Sequence, residues 1–458
     1  MQMKTLDEYL KRYTVSPKIT KQETQEKTIY KILGFYKETT VQDTPIGRIP
    51  KEWTISKLGR HIKEFVRGVS FKNTEISFIP TDDSIPILRA TNLGEHSLLL
   101  DNLIYINRNR VKPSQIIKKN DIIIVTSSGS RHLVGRSLLI KELVSKQIAI
   151  GAFLGILRID SRVLNPTFIY HLLKSNIFKR YLINRVSGTN IKNLRKEFLV
   201  NFTIPLPPLE EQWGIAEVLS TVDRAIEATE RVIEKLERLK RGLMQELLTK
   251  GIGHKEYKQT PIGKIPKQWE VVSLSRIARI IMGQSPPSST YNEDGVGLPF
   301  LQGKAEFGRI YPTPELYTSK PIKVAERGDL LISVRAPVGD VNIAPYKLCI
   351  GRGLTAIRFN NDSAITLFYF YYFSLIKPKL EAMGKGSTFK AITKKDLESF
   401  LVPRPPIEEQ KMIANTLFSI DQWIISEEER KGKLERLKRG LMELLLTGRV
   451  RVRVERVS

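Results

Sequence analysis

The chain is written twice. Thr44-Pro45-Ile46-Gly47-Arg48-Ile49-Pro50-Lys51-Glu52-Trp53 returns 216 residues later as Thr260-Pro261-Ile262-Gly263-Lys264-Ile265-Pro266-Lys267-Gln268-Trp269. Pro207-Pro208-Leu209-Glu210-Glu211-Gln212 returns 198 residues later as Pro405-Pro406-Ile407-Glu408-Glu409-Gln410. At that same offset Glu237-Arg238-Leu239-Lys240-Arg241-Gly242-Leu243-Met244 returns unchanged, beginning at Glu435 and ending at Met442. An eight-residue identity in order with two other matches marks an internal duplication, so whatever one half folds into, the other must also build. The fall in offset means that the repeated frames enclose inserts of unequal length, 54–204 and 270–402. Inside them the echoes are weaker: Asp121-Ile122-Ile123-Ile124 with Asp329-Leu330-Leu331-Ile332, Ile150-Gly151 with Ile350-Gly351, and Gly188 to Lys192 with Gly386 to Lys390. A constant scaffold carrying variable surfaces is the pattern of a recognition protein.

Each frame closes on a long predicted helix. Paired prolines forbid helix before it, and Glu210-Glu211 and Glu408-Glu409 favour its N-terminus electrostatically. In the first helix, Ile215, Leu219, Val222, Ile226, Ile233, Leu236, Leu243 and Leu247 fall on a seam alternating by four and three. The second repeats it at Ile413, Leu417, Ile420, Ile424, Leu434, Leu441 and Leu445. Thr229 and Lys240 are the polar positions of the first seam, and in the second Glu427, Lys431 and Lys438 are polar breaks suited to fixing register. Gly251 and Gly448 end the two helices. The order domain, helix, domain, helix predicts antiparallel pairing, and 42 residues at about 1.5 Å each make a rod of roughly 60 Å.

The expected fold class is mixed α/β (α+β): two similar globular domains separated by two long helices in an antiparallel coiled coil, with pseudo-two-fold symmetry. The expected divisions are an N-terminal helical segment at 1–43, a first domain at 44–206, a spacer at 207–250, a second domain at 251–404, a second spacer at 405–448 and a tail at 449–458. Thr167 to Phe178 and Ile365 to Ile376 read as buried helices. The aromatic run from Phe368 to Phe373 lies in the second, where core packing competes with a base-stacking role.

The net charge of +26 points to a polyanionic partner, nucleic acid first. The long helices are slightly acidic, so the excess base lies off them and mostly on the inserts. One cysteine excludes a disulfide framework and a thiolate metal cluster, and five histidines show no paired ligand spacing. Asn165-Pro166-Thr167-Phe168 approaches an amino-methyltransferase loop but lacks its second proline, and reads better as a helix start. Gly384-Lys385-Gly386-Ser387-Thr388 lacks the first glycine of a phosphate loop. No catalytic constellation emerges, and the apolar runs are too short to span a membrane.

The entry motif, the Pro-Pro-x-Glu-Glu-Gln helix start and the doubled long helix resemble the DNA-specificity subunit of type I restriction–modification enzymes over residues 44–448. That resemblance implies a non-catalytic, cytoplasmic prokaryotic subunit whose two target-recognition domains each read half of a split, asymmetric target in double-stranded DNA. It also implies two methyltransferase subunits docked on the helices, with restriction and translocase subunits joining them. S-adenosylmethionine, ATP and Mg would bind those partners, and this chain would hold no cofactor or metal. Docking candidates on the helices are Glu210, Gln212, Arg238, Arg241, Glu408, Gln410, Arg436 and Arg439. Loop residues with the chemistry to meet DNA are Arg67, Ser70, Lys72, Arg89, Asn92, Ser127, Ser128, Arg131, Asn190 and Lys192 in the first insert. In the second they are Gln284, Ser285, Gln302, Lys304, Arg335, Thr388 and Lys390. Arg, Asn and Gln suit base edges, whereas Lys, Ser and Thr more often position on phosphate. The alternatives are a self-contained nucleic-acid-modifying enzyme and a coiled-coil adaptor whose charge is incidental.

Overall fold

The computed structural model describes residues 29–457 except 96, 130–132, 143–146, 186–192 and 384–390. The chain falls into two compact units, residues 1–227 with 434–458 and residues 228–433. Both long helices, Leu209–Lys250 and Ile407–Leu446, contribute a stretch to each unit.

In the first unit, an antiparallel sheet runs in the order Ile62–Arg67, Leu154–Ile159, Ile122–Val125, Ser137–Leu139. A second small sheet joins Ala149–Ile150, Ser84–Leu88 and Ile104–Asn107, with its first pair parallel. The second unit repeats the four-stranded sheet as Ala278–Met282, Leu354–Phe359, Leu330–Ser333, Val341–Ile343. The strands Ile122–Val125 and Leu330–Ser333, apolar except for Ser333, are buried at every position, as central strands covered on both faces must be. The echoes at Asp121 to Ile124 with Asp329 to Ile332 and at Ile150 with Ile350 therefore mark the same strands of one fold, and the echo of Gly188 to Lys192 with Gly386 to Lys390 lies outside the described residues.

One face of each four-stranded sheet is covered by a helix, Pro166–Lys174 in the first unit and Thr366–Leu375 in the second. Asn165 caps the first by accepting from the backbone N–H of Thr167 and Phe168 at 2.8 and 3.1 Å, so the Asn-Pro sequence is a helix start. That helix ends before Ser175 and a separate one follows at Asn176–Arg185, splitting the helix expected over Thr167 to Phe178. All six aromatic side chains from Phe368 to Phe373 are buried, which removes base stacking as their role.

The long helices pair antiparallel within each unit. In the first, Ile215 and Leu219 pack with Leu445 and Leu446, and Lys438 meets Asp223 at 2.5 Å. In the second, Leu236 packs with Ile420 and Ile424, Lys240 meets Asp421 at 2.7 Å, and Lys431 meets Glu230 at 2.7 Å. Asp223 and Asp421 are equivalent positions of the repeat, as are Lys240 and Lys438. Each aspartate thus takes the lysine of the other copy. Gly251 and Gly448 stand just past the helix ends at φ 67° and 70°, the left-handed conformation that glycine adopts without a Cβ penalty.

Two expectations about the chain ends are corrected. Ile29–Lys37 and Val41–Thr44 are strands rather than helix, and residues 1–28 lie outside the described residues. The stretch expected as a tail is also a strand, Val450–Val457, paired antiparallel with Ile29–Lys37 from Ile29↔Val457 to Lys37↔Val450. Alternating Arg and Val from Arg449 to Val454 has the period of two that a strand requires.

Against the Asp223–Lys438 pair lies His171, with no exposed surface and its Nε2 3.4 Å from Ser220 Oγ. At the matching place in the second unit, the Tyr371 hydroxyl donates to Asp421 Oδ2 at 2.7 Å. Burial pushes the His171 pKa down to about 3, with nearby Asp223 only partly opposing it, so the ring is neutral near pH 7 and its 4.0 Å approach to Asp223 is not an ion pair. With the folded-state value depressed, the stability this site contributes is intact above about pH 6.5 and is lost as pH falls toward 3. The loss by pH 5 is on the order of 2 kcal/mol. His171→Tyr, which installs the side chain of the second unit, should flatten that acid limb in urea unfolding at pH 7 and pH 5; equal pH dependence in both proteins would contradict the assignment.

Candidate nucleic-acid interface

In each unit the two sheets meet at a pair of glycines, and loops from three parts of the insert gather there. A Cβ on Gly68 would lie 2.0 Å from the Gly151 carbonyl oxygen, and one on Gly283 would lie 2.1 Å from that of Gly351. Real Cβ atoms do not approach so closely, so both crossings require glycine. The Gly151 N–H donates to the Leu88 carbonyl at 2.9 Å and that of Gly351 to the Leu301 carbonyl at 2.8 Å, which brings the segments after Leu88 and Leu301 to the crossing. The third segment arrives through Thr126 N–H to the Phe153 carbonyl at 2.8 Å and Val334 N–H to the Gly353 carbonyl at 2.9 Å.

This places most of the sequence candidates together at one end of each pair of sheets. In the first unit Arg67, Ser70 and Lys72 are exposed along the Gly68 segment, and Ser127 and Ser128 are half-buried after the Ile122–Val125 strand. In the second, exposed Gln284 and half-buried Ser285 follow Gly283, Gln302 is exposed beside Gly351, and Arg335 is exposed after Leu330–Ser333. The framework is shared and the side chains differ: Arg89 stands where the second unit has Gln302.

Three candidates are better described as internal supports. Asn92 is buried; its Oδ1 accepts from Arg89 N–H at 2.9 Å and its Nδ2 donates to the Leu99 carbonyl at 2.9 Å, so it fixes the loop and does not face a ligand. Arg89 is half-buried and donates through Nη2 to the Asn102 carbonyl at 2.8 Å. Lys304 pairs with Asp340 at 2.6 Å, and Lys377 reaches the same carboxylate at 2.6 Å. Burial opposes ionisation of Asp340, but the two lysines hold its pKa below the usual carboxylate range. Arg131, Asn190, Lys192, Thr388 and Lys390, with the loop beginning at Gly384, lie outside the described residues.

The frame motifs form a second duplicated site, at the start of each long helix. Glu211 Oε2 accepts from Trp53 Nε1 at 2.9 Å, and Glu409 Oε2 accepts from Trp269 Nε1 at 2.9 Å. The neighbouring glutamine joins the same helix start to the insert. Gln212 accepts from the Asn165 N–H at 2.9 Å and donates to the Pro207 carbonyl at 2.9 Å; Gln410 does the same with Ile365 and Pro405, also at 2.9 Å in both bonds. The remaining acceptor of each carboxylate is filled differently. Arg451 grips Glu211 through Nε and Nη2 at 2.7 and 2.8 Å and also binds Glu38 and Glu52. Burial would lower the Arg451 pKa, but these bonds outweigh it and raise it. Glu409 Oε1 instead meets His254 Nε2 and the Ile252 N–H, each at 2.8 Å.

A family model described as the type I restriction modification DNA specificity domain matches residues 50–238 and again 266–436, once over each frame and insert. This chain belongs to the type I restriction–modification specificity-subunit family. It is 44% identical, over 92% of its length and 99% of the relative, to a Methanocaldococcus jannaschii protein carrying the name of the MjaX type I restriction enzyme specificity subunit. It is 28% identical to the MjaVIII specificity subunit of the same organism, over 92% of this chain and 98% of that one. Among solved structures, a chain of a type I R-M system studied for complex assembly and conformational transition is 30% identical over 88% of this chain and 99% of its own, with a TM-score of 0.51. The type I S subunit from M. genitalium shares the fold at a TM-score of 0.55 and 18% identity, over 86% of this chain and 96% of that one.

For a specificity subunit, the surface of the long helices divides the docking candidates sharply. Gln212 and Gln410 are buried, with both amide N–H groups donated to internal carbonyls, which corrects their expected role as partner contacts. Glu210, Arg238, Arg241, Glu408, Arg436 and Arg439 are exposed. Two residues at the recognition-domain crossings escaped the sequence reading. Arg352 is exposed and its N–H donates to Ser285 Oγ at 3.3 Å, and Phe153 is 63% exposed. The only signal for either was position, two residues or fewer after the Ile-Gly echo. Gly283→Ala is expected to displace the Gln284–Ser285 segment and destabilise the second domain, whereas Gly129→Ala, with open space at its Cβ, should be tolerated. Thermal unfolding of both variants checks this; equal melting temperatures would contradict the close crossing.

Proposed function

We propose that this specificity subunit has no chemistry of its own, that each recognition domain reads one half of a split, asymmetric target in double-stranded DNA, and that methyltransferase subunits dock on the exposed faces of the long helices. The observation that carries the reading is the repeated glycine crossing, which presents different polar side chains at matching places on one framework. Arg67, Gln284, Gln302 and Arg335 have the donors and acceptors to distinguish base edges, and Lys72 and the serines suit phosphate. The chain's net charge of +26 supplies the general attraction to a polyanion. A partner would bring S-adenosylmethionine and its methyl-transfer machinery; restriction would need further subunits with ATP and Mg. Among the described residues no helix is long and apolar enough to cross a membrane, and the complex would act in the cytoplasm.

The length of the paired helices then determines how many base pairs go unread between the halves. Half-sites one turn apart are about 34 Å from each other along the duplex, within reach of a tilted rod of roughly 60 Å. Because each aspartate–lysine pair joins the two helices, lengthening the ruler requires matched insertions in both, for example four residues after Ile233 and four after Glu427.

Single-molecule methylome sequencing of a heterologous host tests the function. A split methylated motif is expected only when this chain is expressed with its methyltransferase subunit; methylation by this chain alone would contradict the non-catalytic reading. With the target in hand, Lys72→Ala should weaken binding about equally on all sequences and reduce the salt slope by about one, while Gln302→Ala should relax choice at one base position. A Lys72→Ala variant that changes the motif instead would reverse the assignment.

A further inference from the structure

Arg309 sits in the irregular stretch between the strands Leu298–Leu301 and Leu316–Thr318, and its backbone is pinned on both sides. Asn342, with no exposed surface, accepts from the Gly308 N–H at 3.1 Å and donates to the Gly308 carbonyl at 2.9 Å. On the other side the Ile343 N–H donates to the Ile310 carbonyl at 2.8 Å, and the Ile310 side chain is buried. The guanidinium therefore projects from a root tied to the Val341–Ile343 strand of the recognition domain's sheet.

From that root it reaches three carboxylates on both long helices. Nη1 donates to Glu237 of the first helix at 2.8 Å and to Asp421 of the second at 3.4 Å, and Nη2 donates to Glu428 of the second at 2.7 Å. Asp421 is itself held by Lys240 and by the Tyr371 hydroxyl, each at 2.7 Å. Burial works against the charged guanidinium, but its bonds to Glu237 and Glu428 outweigh this and raise its pKa. One planar fork thus joins the domain's sheet, the first helix and the second helix, and a fork fixes direction as well as distance. The first domain meets its helices by other means. There Lys141, 41% exposed, forms a single pair with Glu227 at 3.1 Å, and the neutral ring of His171 lies near Ser220.

We infer that Arg309 is a positioning residue of the second recognition domain: beside the Gln410 and Tyr371 ties at the helix start and middle, it sets that domain's angle on the paired helices, and so the register in which the second half-site is presented for reading. This rests on the split-target function proposed above. Arg309 would touch no base. Its loss should leave the second half-sequence legible while loosening where that sequence must lie.

The test uses the full chain in complex with its methyltransferase subunit and duplexes carrying both half-sites at the native spacing, one base pair closer and one base pair farther. The unaltered complex is expected to prefer the native spacing by about tenfold or more, within the range set by one misplaced contact group. Arg309→Met should bring the three duplexes to within about threefold of one another while preserving the choice of bases in both halves. Glu428→Gln, which removes one arm of the fork, should have a smaller effect in the same direction, and Arg309→Lys should recover part of the discrimination. Lys141→Met should leave the spacing preference unchanged. Wild-type spacing preference in a folded Arg309→Met complex would overturn the inference, as would parallel loss of base choice and thermal stability. If the unaltered complex recognises no split target at any spacing, it is the proposed function that fails.

Discussion

A carboxylate buried at the start of a helix has to find donors, and in this chain that requirement ties the repeat together. Glu211 and Glu409 favour their helix N-termini, yet each is buried and needs partners from distant sequence. Trp53 and Trp269 supply one donor each, which explains why the entry motif and the helix start recur together: they are two halves of one contact made twice. The adjacent glutamines seat the helix against the insert through the backbone N–H of Asn165 and Ile365. Insert and helix are thereby joined at a point that does not depend on the insert's own surface, and that surface is free to vary. The third partner is where the copies part. The first unit uses Arg451 from the strand after the second helix, which also binds Glu38 and Glu52, while the second uses His254 from the connection between helix and insert.

Much of the scaffold was legible in the sequence because repetition and periodicity report backbone directly. The order domain, helix, domain, helix gave antiparallel pairing, and the lysines that break the seam were recognisable as polar breaks in it. Their partners were not, because a partner on another helix leaves no periodic trace: Asp223 and Asp421 lie one position beyond Val222 and Ile420 and look like ordinary solvent-facing acids. The structure shows them buried, each paired with the lysine of the other copy. The terminal strands were missed for a related reason. Ile29–Lys37 alternates poorly, and only its partner Val450–Val457, more than 400 residues away, makes it a strand.

The inserts were legible as one fold and much less so as surfaces. Ile150-Gly151 and Ile350-Gly351 marked the crossing, but the reason for glycine, a backbone passing within van der Waals distance, is a fact of three dimensions. Asn92 shows how composition misleads at such places, since a loop asparagine with base-reading chemistry is also well suited to close the loop that carries it. Arg309 shows the reverse. In sequence it is one arginine among many in a basic chain, and only its three carboxylate partners distinguish it.

The account stands on each recognition domain being an independent reader joined to a common frame. The measurement that tests this most directly replaces residues 54–204 with a second copy of residues 270–402, within the same frame, and sequences the methylome produced with the methyltransferase partner. Two identical readers carried by the duplicated frame should yield a palindromic split motif whose half matches the second half of the parent target. A folded, partner-bound chimera that methylates the parent's asymmetric motif, or a motif unrelated to either half, would contradict the account.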